Sequence, residues 1–139
     1  MKTVLLSIAF AIVSSLGFTQ EKTGHTIIVT IENVKNDSGK ILLGLHDKTT
    51  FMKADAVAKG ISAIKNGTCT ITLENIQPGE YAILALHDEN ENERMDFEDS
   101  GMPAESYGTS NNPRSFGPPI YDDAKFKLGE EDLEISIRL

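Results

Sequence analysis

The sequence has few of the residues that form covalent cross-links or act as nucleophiles. Cys69 is the only cysteine among 139 residues, so an intramolecular disulfide is excluded. In TCTITL, Cys69, Ile71 and Leu73 alternate with threonines, which predicts a buried thiol on the inner face of a strand. A catalytic cysteine would need a helix N-terminus or a histidine-lined cleft. Because the chain also lacks a His-Glu-x-x-His motif and a serine or cysteine nucleophile signature, we expect no enzyme and assign no catalytic residue.

Long apolar runs are also missing, except at the N-terminus. Residues 1–19, MKTVLLSIAFAIVSSLGFT, contain one lysine, then an apolar core, then small and polar residues. This layout predicts a signal peptide, with Gly17 and Thr19 at the −3 and −1 positions of a cleavage site before Gln20. The apolar core is too short to span a bilayer comfortably, although a buried helix or a retained anchor is the alternative. We expect a single mature domain of residues 20–139 that is periplasmic or secreted.

Basic residues are scarce, and the acidic ones are concentrated. The chain has 13 lysines and arginines against 21 aspartates and glutamates, a net charge of −8 at pH 7. Between His87 and Glu105, eight acids stand against Arg94 alone, which leaves a net charge of −7. Nucleic acid and anionic membrane surfaces are therefore poor partners. A bound cation is one way to relieve this self-repulsion.

The apolar residues outside the N-terminus recur with period two in short runs separated by turn signals. This pattern predicts an all-β protein, and six or seven short strands without a long helix favour a two-sheet antiparallel β-sandwich, Ig-like or transthyretin-like. One long ordered loop would follow the fourth main run, and residues 53–64 would form at most one or two helical turns. The predicted strands are HTIIVTIENV, KILLGLHD, TCTITLENI, GEYAILALHD, DAKFKL and LEISIRL.

Two of these runs resemble each other and end in the same dipeptide. LLGLHD at 42–47 and ILALHD at 83–88 predict neighbouring strands with His46 and His87 near one rim of the sandwich. A histidine pair there, with nearby carboxylates, would suit a metal-dependent hydrolase. The alternative is that both imidazoles cap backbone groups at polar strand ends.

The acidic stretch that follows the second of these runs has the spacing of a calcium loop. Oxygen-bearing side chains fall at loop positions 1, 3, 5, 9 and 12, where an EF-hand-type loop turns its ligands inward. These residues are Asp88, Asn90, Asn92, Asp96 and Asp99. Arg94 at position 7 would contribute its backbone carbonyl, and Met95 at position 8 would anchor the loop. The sequence therefore predicts a Ca²⁺ site that orders residues 88–121, with a solvated acidic loop as the alternative.

Two positions depart from the calcium-loop pattern. Glu93 stands at position 6, where glycine normally permits a positive φ, so the turn is either strained or shaped differently. Asp99 is one methylene shorter than the usual glutamate at position 12, although Glu98 could substitute for it. Both departures predict weak binding, with a dissociation constant of roughly 0.1–1 mM.

Four motifs stand in order within residues 78–128. They are Pro-Gly-x-Tyr-Ala, His-Asp-x-Asn-x-Asn-Gly-x-x-Asp, Gly-x-Pro-x-Glu-x-Tyr-Gly-x-Ser-Asn-Asn and x-Pro-x-[FY]-x-x-Ala, at 78–82, 87–96, 101–112 and 119–124, with Glu93 in place of the second motif's glycine. In these motifs the chain resembles a family of exported bacterial proteins grouped as domain of unknown function 2141. The resemblance implies a periplasmic or secreted β-sandwich and supplies no substrate.

A second candidate site follows in the Gly/Pro-rich segment SYGTSNNPRSFGPP, residues 106–119. Aromatic and amide side chains on such a loop suit recognition of a sugar or a peptide, although the loop could instead pack its own aromatics and use its asparagines for turns. The candidate ligand-loop residues are Tyr107, Asn111, Asn112, Arg114 and Phe116. We therefore expect a monomeric binding or accessory module of the cell envelope, with a protein, peptide or glycan ligand, no nucleic acid partner and no membrane span. The sequence does not distinguish such a module from a structural component of the envelope.

Overall fold

The computed structural model describes residues 23–139, so the predicted signal peptide lies outside the described residues. Within that part, eight strands and one short helix follow one another along the chain. They are β1 (His25–Glu32), β2 (Lys40–His46), β3 (Ala58–Ser62), β4 (Cys69–Ile76), β5 (Gly79–Asp88), β6 (Tyr107–Thr109), α1 (Tyr121–Ala124), β7 (Phe126–Leu128) and β8 (Leu133–Arg138). No helix among residues 23–139 is long and apolar enough to cross a membrane.

The strands form two sheets. One has the order β4-β1-β8, and the other has the order β3-β2-β5-β6, with β7 paired to the beginning of β5. Every pairing is antiparallel except that of β1 with β8, which is parallel. The predicted two-sheet β-sandwich is therefore confirmed, with eight strands instead of about seven and one parallel edge.

The core lies between the two sheets and follows the period-two pattern of the sequence. In β1, Ile27, Val29 and Ile31 are fully buried, as their alternation predicts. They pack in one cluster with alternating residues of the opposite sheet, among them Leu43 and Leu45 of β2. Each such side chain contributes about 1.5–3 kcal/mol when it leaves water, so the two apolar faces hold the sheets together.

The single cysteine belongs to this core. Cys69 is buried at the start of β4, on the same face as Ile71 and Leu73. Burial raises the pKa of its thiol, an effect that a hydrogen bond with Ser62 partly opposes. The prediction of a buried thiol on the inner face of a strand is confirmed.

The expectation of helical turns at residues 53–64 is wrong. Strand β3 occupies the middle of this segment and pairs with β2. The turn lies earlier, where the Asp47 carboxylate accepts hydrogen bonds from the backbone N–H groups of Thr49 and Thr50 at 2.8 and 2.9 Å. The chain then returns to β2 through a hydrogen bond from the Val57 N–H to the Leu45 carbonyl. Pairing with β2 overrides the weak local helical preference of the segment.

Candidate functional site

The acidic loop begins at the end of β5 with a buried carboxylate. Asp88 is fully buried, and its two oxygens accept hydrogen bonds from backbone N–H groups further along the loop. Oδ1 lies 3.1 Å from the nitrogen of Asn92, and Oδ2 lies 2.9 Å from the nitrogen of Glu93. A carboxylate is costly to bury unless it is hydrogen-bonded, and here both oxygens are satisfied. Asp88 therefore closes the first turn of the loop onto itself.

Two asparagines continue the same curl. Asn90 Oδ1 accepts a hydrogen bond from the Asn92 nitrogen at 3.3 Å, and Asn92 Oδ1 accepts one from the Arg94 nitrogen at 3.1 Å. Each bond is an Asx turn, which bends the chain and aims side chains at alternate positions toward one point. That point is Asp96, whose carboxylate accepts from Asn90 Nδ2 at 2.6 Å and from Asn92 Nδ2 at 2.8 and 2.9 Å. Four of the five predicted ligand side chains thus belong to one hydrogen-bonded loop.

Glu93 takes the backbone conformation that glycine has in a calcium loop. Its φ is 63°, and Glu91 two residues earlier has a φ of 56°. A left-handed conformation costs a non-glycine residue about 1–2 kcal/mol. The hydrogen bond from the Glu93 nitrogen to Asp88 and an ion pair of 3.1 Å between Glu93 Oε1 and Lys40 Nζ hold it there. Of the two alternatives left by the sequence, the turn is strained and keeps the left-handed shape.

Asp99 does not join this network. It lies in an exposed turn from Glu98 to Gly101, between the paired residues Phe97 and Pro103. Among the hydrogen bonds of residues 23–139, none connects Asp99 with the other predicted ligands. After this turn the chain runs back toward the acidic loop, and another acidic residue further along the chain forms hydrogen bonds with that loop.

That acid is Glu105, which the calcium-loop spacing missed. It is buried, and its carboxylate spans the loop: Oε1 accepts from the Glu89 nitrogen at 3.0 Å and Oε2 from the Asp96 nitrogen at 3.3 Å. Glu105 therefore ties the beginning of the loop to its second half. The available signal was the position of Glu105 in the Gly-x-Pro-x-Glu-x-Tyr motif, because the loop spacing alone ends at position 12.

The donor set of the loop fits a hard cation better than a transition metal. No group of three or more histidine, cysteine, aspartate or glutamate side chains within residues 23–139 is arranged to hold a metal ion. The loop offers instead two carboxylates, Asp88 and Asp96, and two amides, Asn90 and Asn92. Calcium accepts such mixed oxygen ligands. Because both amides here direct their N–H groups at Asp96, an ion must first replace those hydrogen bonds, which favours weak binding.

The two histidines do not meet, and the expectation of a shared rim is wrong. Strands β2 and β5 are neighbours, as the sequence echo predicts, but they are antiparallel, with His87 opposite Ile41 and His46 opposite Ala82. Five residues of strand, about 17 Å, separate these two pairs. A single metal ion cannot bind both imidazoles, so His46 and His87 do not form the metal site that the alternative hydrolase requires.

Each histidine instead serves its own strand end. The fully buried His87 donates a hydrogen bond from Nε2 to the Ser38 carbonyl at 2.7 Å. His46 lies with Nδ1 3.2 Å from the Thr50 hydroxyl, and burial lowers the pKa of its imidazole. The His87 contact matches the alternative interpretation, in which the imidazoles cap backbone groups at polar strand ends, whereas His46 contacts a side-chain hydroxyl.

The asparagines of the second candidate loop bind backbone groups of the same chain. Asn111 Nδ2 donates to the carbonyls of Asp123 and Lys125 at 3.2 and 2.7 Å. Asn112 donates to a carbonyl of β8 at 2.9 Å and accepts from a β8 nitrogen at 2.8 Å. Both residues have a positive φ, 66° and 45°. The two amide side chains therefore hold the loop against the sandwich through turns and through hydrogen bonds to backbone groups.

The other ligand-loop residues lie differently. Tyr107 and Phe116 line an apolar cavity of about 600 Å³ on the outer side of β5, whereas Arg114 is exposed. The sequence thus grouped two kinds of residue in one loop, structural amides and cavity-lining aromatics.

A family model matches most of the chain. It is described as "Uncharacterized protein conserved in bacteria (DUF2141)", and it covers residues 29–136, from within β1 to within β8. The chain belongs to this family. The DUF2141 match includes the acidic loop and the returning Glu105, and it confirms the resemblance read from the four motifs. No curated protein and no solved structure matches the chain.

Proposed function

We propose that this DUF2141 protein is an exported, non-enzymatic binding or accessory module of the cell envelope whose acidic loop takes up one calcium ion weakly. One observation carries this proposal: Asp88, Asn90, Asn92 and Asp96 belong to one hydrogen-bonded loop with Glu93 left-handed at position 6. The hydrogen bonds of Asp88 and the Asx turns of Asn90 and Asn92 give the loop its curl. The separation of the two histidines and the burial of Cys69 support a role other than catalysis. Export rests on the N-terminal sequence pattern.

Calcium acts on the loop as an ordering ligand. Asp88 belongs to the end of a strand and pairs with β2, whereas Asp96 belongs to the irregular segment, so an ion between them fixes the second to the first. The ion also lowers the repulsion among the eight acids of this stretch. At ten times the dissociation constant, one ion adds about 1.4 kcal/mol to the free energy of unfolding. The effect holds the 88–121 segment against the sandwich.

We expect millimolar calcium to raise the melting temperature. Between a chelator and about 10 mM CaCl₂, which is about ten to a hundred times the expected dissociation constant, the free energy of unfolding should rise by about 1.4–2.7 kcal/mol. For a domain of this size, the Tm of the purified protein should then rise by roughly 4–12 °C. Differential scanning calorimetry measures the shift, with NaCl of equal ionic strength and MgCl₂ as controls. An identical Tm in chelator and in calcium contradicts the ion site.

The export part of the proposal has its own test. The protein should be recovered from the periplasm or the medium with an intact mass that corresponds to a chain beginning at Gln20. A form without residues 2–19 should remain in the cytoplasm with the same melting temperature, because the described fold begins after that segment. Recovery of a full-length chain that starts at Met1 in the envelope fraction contradicts cleavage at this position.

A further inference from the structure

The apolar cavity on the outer side of β5 is built from an unusual collection of side chains. All three methionines of residues 23–139 line it, together with two phenylalanines and Tyr107. Several of them are strongly exposed: Met52 at 56%, Phe97 at 64%, Met102 at 63%, and Phe116 completely. Large apolar side chains that are exposed together mark interaction sites, and methionine is common on surfaces that adapt to different apolar ligands.

The cavity has a fixed floor and walls of restricted flexibility. Leu84 and Ala85 form the floor of the cavity. They belong to β5, which is a central strand of the five-stranded sheet. One wall is the segment in which Phe97 pairs with Pro103, and the other carries Pro118 and Pro119. Prolines in both walls and the isolated bridge in the first restrict the backbone there, which lowers the ordering cost of binding a ligand. The volume of about 600 Å³ lies in the range of small-molecule sites, roughly 300–1,000 Å³.

The surroundings of the cavity are strongly acidic. Two exposed acids, Glu98 and Asp99, stand in the chain between the wall residues Phe97 and Gly101. Over residues 87–119, which include both walls, eight acids stand against two arginines, a net charge of −6. One bound calcium ion would leave this segment negative. The field at the cavity therefore attracts cations and repels anions, while the lining accepts an apolar body.

We propose that this cavity binds a small amphiphile with an apolar body and a cationic head, an ammonium or a guanidinium group. The apolar body occupies the space between the methionines and phenylalanines. The head lies at the mouth of the cavity, near the exposed carboxylates of Glu98 and Asp99. The aromatic rings of Tyr107 and Phe116 add a face that favours an organic cation. This proposal rests on the binding-module part of the proposed function and does not require the calcium site.

Three probes with the same alkyl chain test the proposal: octyltrimethylammonium, octanol and octanoate. Isothermal titration calorimetry of the purified protein at low ionic strength should rank them in that order, with the cation bound about tenfold or more tightly than the carboxylate. The ratio should shrink at high salt, because exposed charges are screened. In spectra of ¹³C-methyl methionine, the cation should shift the Met52, Met95 and Met102 signals.

Matched variants locate the binding. Phe97→Ser/Met102→Ser removes two large apolar contacts and should weaken the cation about tenfold or more. Ile61→Ser is the control: Ile61 is 60% exposed on the edge strand β3, outside the cavity, and this variant should bind as the unmodified protein does. Circular dichroism and Tm of each variant show that the sandwich is intact.

Several results would overturn the proposal. Octanoate bound as tightly as the cation excludes the cationic head, and full affinity in Phe97→Ser/Met102→Ser excludes the cavity. Running every titration in chelator and in calcium separates the two proposals. Cation binding without a calcium-dependent Tm shift leaves this proposal standing while the ion site fails, and a calcium shift without cation binding does the reverse.

Discussion

Replacement of Asp88 by asparagine is expected to lower the free energy of unfolding by about 2–3 kcal/mol and to abolish the calcium-dependent rise in Tm. Asparagine has nearly the shape of aspartate but only one acceptor oxygen. Its oxygen can accept a hydrogen bond from the backbone nitrogen of Asn92 or of Glu93, but not from both. Its NH₂ group then faces the remaining backbone N–H, so that two donors oppose each other. Because position 88 is fully buried, water cannot compensate that donor.

The stability loss should be present before any ion is added. Urea unfolding in chelator isolates the hydrogen-bond contribution, and a second series in calcium measures what the ion adds. Glu91→Gln is the matched control, because it removes one negative charge from an exposed position of the same loop. It should change the free energy of unfolding by no more than about 0.5 kcal/mol and keep the calcium response. Equal stability of Asp88→Asn and the unmodified protein in chelator would show that Asp88 does not hold the loop.

The strands could be predicted from sequence because each buries one face. In β1, Ile27, Val29 and Ile31 alternate with polar or less buried positions, and this period is visible without knowledge of the partner strands. The partners themselves are set by distant residues. The echo that ends in His46 and His87 correctly predicted two adjacent strands, but it carries no information on direction, and the antiparallel pairing placed the histidines at opposite ends. The same limit explains the parallel pairing of β1 with β8.

The candidate site was predictable where it depends on local geometry. An Asx turn joins an asparagine to the residue two positions further on, so Asn90 and Asn92 at alternate positions predict a curled loop. Glu105 was missed because it reaches the loop only after the hairpin turn between Phe97 and Pro103, a path that spacing does not encode. The apolar cavity was missed for the same reason, since Met52 comes from the connection between β2 and β3, whereas Met95 and Met102 come from the segment after β5. Side chains that meet through the fold leave little trace in a linear pattern.

Gly39→Ala is expected to be the more damaging of two glycine substitutions near the loop, with a loss of about 4 kcal/mol in the free energy of unfolding. Gly39 has a φ of 68° in the turn before β2. A Cβ there would overlap the carbonyl oxygen of Asp88 and lie 2.8 Å from the Cα of Glu89. Both are backbone atoms, so relief requires movement of the end of β5 and of the first turn of the acidic loop.

Comparison with Gly101→Ala distinguishes the free-energy cost of the Cβ overlap at Gly39 from the cost of the left-handed conformation. Gly101 has a φ of 83°, but a Cβ on it would meet nothing within 4 Å, so only the conformational cost of about 1–2 kcal/mol applies. Urea unfolding of both variants gives the difference, and calcium titration shows whether it reaches the ion site. We expect Gly39→Ala to weaken the calcium response and Gly101→Ala to keep it, because only the first displaces Asp88. Equal losses in the two variants would mean that the end of β5 and the turn before β2 move apart at little cost in free energy. The contact between them would then not hold Asp88 in place, as the position of a calcium ligand requires.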